Sequence, residues 1–256
     1  MRWGNATGMA AVRILGVVLL AAATNLVQAA DIRVLAANAV REPFMEIAAA
    51  FEKATGHRVL ATWSGTAGIV KRIDDGQVAD IVIVGSDAVD RMVGNGRLRA
   101  DGRVDFARSG IGIAVRPGIA RPDISTPESV KAAILQARSV AYSSGPSGVY
   151  IESLFERMGI VDQVKGKLVR PPPSVQIGDL LARGEVELGF QQISDLLPFK
   201  DIQFVGALPA AIQNTTVYRG ALHPGAPAPE AAGALLKFLV APESAPAIRR
   251  AGLEPG

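Results

Sequence analysis

Short apolar runs alternate with longer amphipathic stretches along most of this chain. Ile32–Ala36 reads as a strand, and the apolar spacing near Val40–Thr55 predicts a helix ending at Gly56, a residue suited to a left-handed C-cap. His57–Trp63 returns as a strand, and Ala67–Asp75 has helical spacing up to Gly76. Asp80–Val84 is then nearly all apolar, as in strands covered on both faces. Asp87–Val93 reads as a helix that breaks at Gly94. Strand alternating with helix predicts a parallel sheet clothed by helices.

After Gly102 the period changes. Val104–Val115 reads as one long strand with no helix before it, followed by an Arg116-Pro117-Gly118 turn. A second alternating set starts at Thr126-Pro127-Glu128, an N-cap with proline in the first turn. It continues with a strand at Ser139–Tyr142, a helix at Ser147–Met158, a strand near Leu168, a helix at Val175–Ala182 and a strand at Glu187–Gln191. Strands at Gln203–Ala207 and Asn214–Ala221 and helices at Pro229–Val240 and Pro242–Ala251 close the chain. Two such sets, joined by an extended strand, predict two α/β lobes. The closing helices are expected to return to the first, giving lobe I from 31–108 plus 209–256 and lobe II from 109–208.

Residues 1–30 stand apart. Arg2 and Arg13 are their only charges, an apolar run from Ile14 to Ala23 follows, and small residues surround Ala29. This is the order of a secretory signal peptide, cleaved near Ala29 or Ala30, and the run is shorter than the ~20 residues that cross a bilayer. The chain is therefore expected in the periplasm. Without those two arginines the net charge falls from +3 to +1, which removes any electrostatic case for nucleic acid. The absence of cysteine excludes disulfides, thiolate nucleophiles and cysteine-based metal sites, and two histidines, His57 and His223, cannot build a multi-histidine centre. No cofactor and no metal are expected. Both histidines read as solvated surface.

The candidate chemistry lies where strands give way to helices, because ligands of open α/β sheets bind beyond the carboxyl ends of strands. Four such junctions carry small polar or glycine residues: Ala36–Ala39, Ser64–Gly68, Ser143–Gly148 and Phe190–Ser194. Free N–H groups at helix starts, glycines that admit a ligand to the backbone, and hydroxyl donors together suit a small anion held without a formal counter-charge. Any one of them reads equally as ordinary helix capping. Arg41, Lys71 and Arg170 flank the junctions, and Trp63 and Tyr142 end strands as core edge or ligand wall.

On these residues a resemblance emerges. Ile32–Ala39, Phe44–Gly56, Ser64–Ile73, Ala79–Ile83, the Gly145-Pro-Ser-Gly-Val-Tyr150 turn, Glu187–Gly189 and Phe238–Ala245 resemble the molybdate-binding proteins of bacterial ABC importers. The resemblance implies the hinged, two-lobed fold of type II periplasmic binding proteins, with an oxyanion held between the lobes. Carried over by position, the family's first serine falls on Ala39 beside Asn38. Its second-loop serine falls on Thr66, with Ser64 nearby. Its second-lobe turn residue falls on Ser147, its backbone contact near Val175 and its pocket tyrosine on Gln192. Two side-chain donors are thus missing, and Asn38, Gln191 and Gln192 point to a larger ligand bearing carboxylates or hydroxyls.

The resemblance implies a receptor that captures a small oxyanion or a di- or tricarboxylate, as a monomer, for the membrane permease of an ABC importer. It extends to a bacterial aconitate isomerase, so a periplasmic enzyme on the same scaffold is the alternative, and a sensor subunit for a receptor kinase is a third reading. The receptor is the default because no carboxylate or histidine is placed by the sequence at a cleft junction, which leaves any acid or base unassigned.

Overall fold

A computed structural model gives the fold and describes residues 29–256, so the expected signal peptide lies outside the described residues except at its last two positions. The elements run β1 (Asp31–Ala37), a 3-10 turn at Asn38–Val40, α1 (Arg41–Thr55), β2 (Arg58–Ser64), α2 (Thr66–Asp74), β3 (Ile81–Gly85) and α3 (Ser86–Gly94). Then come β4 (Val104–Val115), α4 (Pro127–Gln136), β5 (Val140–Tyr142), α5 (Pro146–Arg157), α6 (Val161–Val164), β6 (Leu168–Val169), α7 (Ile177–Ala182), β7 (Leu188–Gln192) and α8 (Ile193–Leu196). The chain ends with β8 (Gln203–Ala207), β9 (Thr215–Leu222), α9 (Pro229–Leu239), α10 (Ala245–Arg250) and β10 (Glu254–Pro255). Helix boundaries follow local chemistry. Gly56 closes α1 at φ 76°, in the left-handed region that favours glycine. Thr126 and Ser129 exchange hydrogen bonds in a capping box at the start of α4.

The sheet runs β2-β1-β3-β9-β4-β7-β5-β6, with β8 and β10 also paired to β4. It is mixed rather than parallel throughout. β1 pairs in parallel with β2 and β3, and β5 with β6 and β7, as the alternating units predict. The returning strand β9 is antiparallel to β3 and to β4, and β4 is antiparallel to β7 and β8. β9 follows β8 through a short 3-10 turn with no crossover helix, so nothing fixes it parallel.

Two sets of apolar clusters lie on either side of one boundary. Val34, Phe44, Phe51, Ile83, Phe106 and Leu235 belong to one, together with α10. Ile111, Ile134, Val140, Leu154, Phe190 and Leu208 belong to the other. The closing helices therefore pack on the first set of units. Strand β4 contributes Phe106 to the first core and Ile113 to the second, and so passes from one lobe to the other. Beside it, Gln213 pins the second crossing: its Nε2 donates to Ile111 O (3.0 Å), and Ile111 N donates to its Oε1 (2.7 Å).

The return to the first lobe hangs on Asp80, which is fully buried ahead of β3. Its carboxylate accepts from Arg33 N (2.8 Å) on β1 and from Ala228 N (2.6 Å) just before α9. Substituting Asp80→Ala orphans two buried N–H donors of charge-assisted bonds. Urea unfolding is expected to show a loss of about 3 kcal/mol or more. An unchanged unfolding midpoint would mean that the C-terminal return is held by packing alone.

Candidate functional site

The first lobe presents the junctions after β1 and β2, and the second lobe those after β5 and β7. They converge on one small cavity whose lining includes Asn38, Ala39, Thr66, Ser147, Gln176 and Asp195. No lysine or arginine is among its described lining residues. Helices α2 and α5 start at this cavity after Gly65 and Gly145, and neither N-cap residue supplies a side-chain bond. Their first-turn N–H groups thus face the space from opposite lobes with the positive end of each helix dipole. Gly148 makes the α5 start possible, since a Cβ there would meet Ser143 O at 1.5 Å. The lobes touch across the cavity, where Gly65 N donates to Pro173 O at 3.0 Å. Thr66, Ser144, Gly145 and Pro146 also line a wider neighbouring groove.

Six of the seven residues assigned by position line the cavity: Asn38, Ala39, Thr66, Ser147, Val175 and Gln192. Thr66 is buried, and its Oγ1 has no hydrogen-bond partner. Ser147 is buried with its Oγ 2.9 Å from Ser143 Oγ. Ser64 is not among the lining residues; its hydroxyl lies against Gly68, close enough that a Cβ there would meet it at 2.3 Å. Gln192 reaches the wall, but its amide is engaged elsewhere. In the orientation that satisfies both ends, Nε2 donates to Ser109 O (3.0 Å) and Gly110 O (3.1 Å), and Oε1 accepts from Thr216 Oγ1 (2.8 Å). Gln191 is likewise committed, accepting from Ile177 N (3.0 Å) and donating to Gln176 Oε1 (2.6 Å).

The flanking residues lie elsewhere. Arg41 stacks on Trp63, which packs edge-on against Phe44, while Lys71 pairs with Asp75 and Arg170 with Glu152. Tyr142 donates to Glu152 at 3.1 Å, so both aromatic strand ends belong to the core edge. His57 departs from the surface position expected of it. It is buried, stacked on Phe51, and its Nδ1 accepts from Ala30 N (3.1 Å), which ties the start of the described chain to the first lobe.

Asp195 is a lining residue that the sequence alone does not single out. It sits in the first turn of α8, one residue beyond the Phe190–Ser194 junction, and lines the cavity. Its Oδ1 is sealed from water and has no hydrogen-bond partner. Burial in the cleft lifts its carboxyl to about 7, with the neighbouring Gln191 side chain pulling the other way. The signal was a strand–Gln-Gln–helix junction followed by an acid, which reads equally as a residue complementing the helix dipole. The cavity also meets Tyr218, whose hydroxyl is pushed well above its ordinary value by burial and by Asp195.

A raised carboxyl has a definite stability signature. The unfolded chain releases this proton near pH 3.9 and the folded protein near 7, so stability falls as pH rises between those values. Asp195→Asn removes the penalty. Thermal unfolding is expected to show the variant more stable than wild type at pH 8, with the difference shrinking toward pH 4. A variant less stable at both values would assign Asp195 to a structural role as an ionised cap.

Comparison with known proteins places the chain. It is 38% identical over 246 residues to an aconitate isomerase from a Pseudomonas species, covering 93% of this chain and 94% of the relative. It is 27% identical over 195 residues to a molybdate-binding protein from Azotobacter vinelandii, covering 75% and 74%. The solved periplasmic molybdate-binding protein of Azotobacter vinelandii superposes with a TM-score of 0.73 at 18% identity, over 88% of this chain and 99% of that one. That superposition gives the fold, the two-lobed α/β architecture of type II periplasmic binding proteins. Residues 32–254 match the family model described as bacterial extracellular solute-binding protein, and the chain belongs to that family.

Proposed function

We propose that this protein closes over an organic polycarboxylate in the periplasm and shifts a proton within it, as an isomerase of the aconitate class. The observation that carries the reading is the wider groove that adjoins the anion-binding cavity along Thr66, Ser144, Gly145 and Pro146. A tetrahedral ion has no use for such an extension, whereas a carbon chain with several carboxylates does. Donor chemistry supports the same conclusion. Ala39 offers no side-chain donor, and the Gln192 amide is committed to Ser109, Gly110 and Thr216. Thr66 Oγ1, Ser147 and the first turns of α2 and α5 remain for one carboxylate. Likeness to an aconitate isomerase across nearly all of both chains favours a reaction over carriage.

An allylic isomerisation of this kind asks three things of a protein. It needs the carboxylates clamped so that the reacting carbons stay in place, water kept from the intermediate, and one group that takes and returns a proton. The neutral donors supply the clamp, and the contact between Gly65 and Pro173 closes the lobes over it. A second reading, capture for the permease of an importer, is favoured by likeness to a molybdate-binding protein.

Proton NMR of trans-aconitate with the purified protein separates the two. Conversion to the cis isomer is expected, with weak or no calorimetric binding of molybdate. Thr66→Val is expected to weaken tricarboxylate binding at least tenfold, because a donor to a charged group contributes about 1.5–3 kcal/mol. Nanomolar molybdate binding without turnover would overturn the isomerase in favour of carriage.

A further inference from the structure

An ionisable carboxyl is out of place in a pocket built to hold an anion. Ionised, it repels the ligand; its burial costs folding free energy, and no lysine or arginine among the described lining residues offsets it. Asp195 nevertheless lines this cavity, from the first turn of α8. Its Oδ1 is closed to bulk water and bonded to nothing, although it lies among groups that hydrogen-bond one another. Gln191 beside it spends its amide on Ile177 and Gln176, and Gln192 on Ser109, Gly110 and Thr216. Burial raises the basicity of this carboxylate, against a smaller opposing pull from the Gln191 side chain.

We propose that Asp195 is the catalytic residue that carries the proton, taking it from one carbon of the bound polycarboxylate and returning it to another. The inference rests on the isomerase reading and gives that reading its reacting group. The Asp195 carboxylate removes a proton from the methylene carbon next to the substrate's double bond. The C–H electron pair becomes the new double bond, and the electrons of the old one move toward the far carbon as a carboxylate-stabilised dienolate. The far carbon then takes the proton back from the Asp195 carboxyl. Substrate and product are isomers, Asp195 ends ionised as it began, and no oxidant, reductant or second substrate is consumed.

The surroundings suit this role. Among the described residues Tyr218, on β9, is the one other titratable group lining the cavity, and it stays protonated at neutral pH because burial and Asp195 hold its hydroxyl well above its ordinary value. The elements packed on α8 at the cavity add Asn38, Gln176, Gln191 and Gln192, all neutral. The Asp195 carboxyl, at about 7, is poised between taking and giving a proton near neutral pH.

Three readouts test the assignment together. With trans-aconitate as substrate, Asp195→Asn is expected to lose at least ~100-fold in kcat. Calorimetric affinity for the same tricarboxylate should stay within a few-fold of wild type or tighten, because a repelling charge is gone. In wild type, kcat/KM is expected to rise with pH through about 7 toward a plateau, since the ionised carboxyl is the base. That pH limb requires no variant, so a folding failure of Asp195→Asn leaves the proposal testable. In deuterated water, wild type should exchange the substrate's methylene protons and Asp195→Asn should not. If Asp195→Asn isomerises within tenfold of wild type with an unaltered pH profile, Asp195 is not the proton carrier, and the isomerase reading stands. If wild type binds tricarboxylates but neither converts them nor exchanges their protons, the isomerase reading falls and this inference falls with it.

Discussion

Strand β4 belongs to two hydrophobic cores, and the position of the site follows from the point where it changes allegiance. Phe106 and Ala107 are buried in the first lobe, Ile111 and Ile113 in the second. The intervening Ser109 and Gly110 leave their carbonyls at the boundary, where the Gln192 amide takes them and ties β4 to Thr216 on β9. Gln213 performs the same service where the chain crosses back. Both crossings are therefore tied by side-chain amides, Gln192 buried and Gln213 half-buried. The parallel strands of each lobe aim their carboxyl ends at this boundary, which brings four helix starts from two separately packed units to one cavity.

Holding an anion there without a counter-cation demands donors that are already oriented and unspent. Thr66 Oγ1 and the uncapped starts of α2 and α5 meet that demand. The cost is visible in the same place: a buried hydroxyl and a buried carboxyl oxygen lack partners until something fills the space. Gly148 belongs to the same economy, because only a residue without Cβ lets the first turn of α5 lie against Ser143 O. A receptor needs the hydroxyl. The carboxyl at the same cavity is what the proposed proton shift adds to capture.

Much of this was legible in the sequence. The strand-helix alternation, the long β4 and the glycine- and hydroxyl-bearing junctions all depend on local periodicity and turn chemistry, and they appear where the pattern predicts. What escaped depends on distant partners. Gln192 reads as a ligand amide until Ser109, Gly110 and Thr216 are brought to it from other strands. Ser64 and Thr66 are both plausible donors at the same junction, and only the fold shows Ser64 turned against Gly68 while Thr66 opens on the cavity. His57 looks like a polar strand start, yet Ala30 and Phe51 enclose it. Asp195 is hidden by the brevity of α8, four residues with no periodicity to mark a helix, and by the ordinariness of an acid in a first turn. Desolvation, which lifts its carboxyl, has no local signature.

The account holds that one carboxylate of the ligand sits against the Thr66 and Ser147 junctions while a ligand carbon faces Asp195. A crystal structure of the protein with a bound tricarboxylate, or with a saturated analogue that cannot react, tests this most directly. The account predicts Thr66 Oγ1 and the α5 N–H groups donating to a carboxylate, with an Asp195 oxygen in contact with a ligand carbon and the remaining chain extending toward the wider groove. A ligand held by the same donors but with Asp195 turned onto a protein N–H, or pointing at a ligand carboxylate, would contradict it.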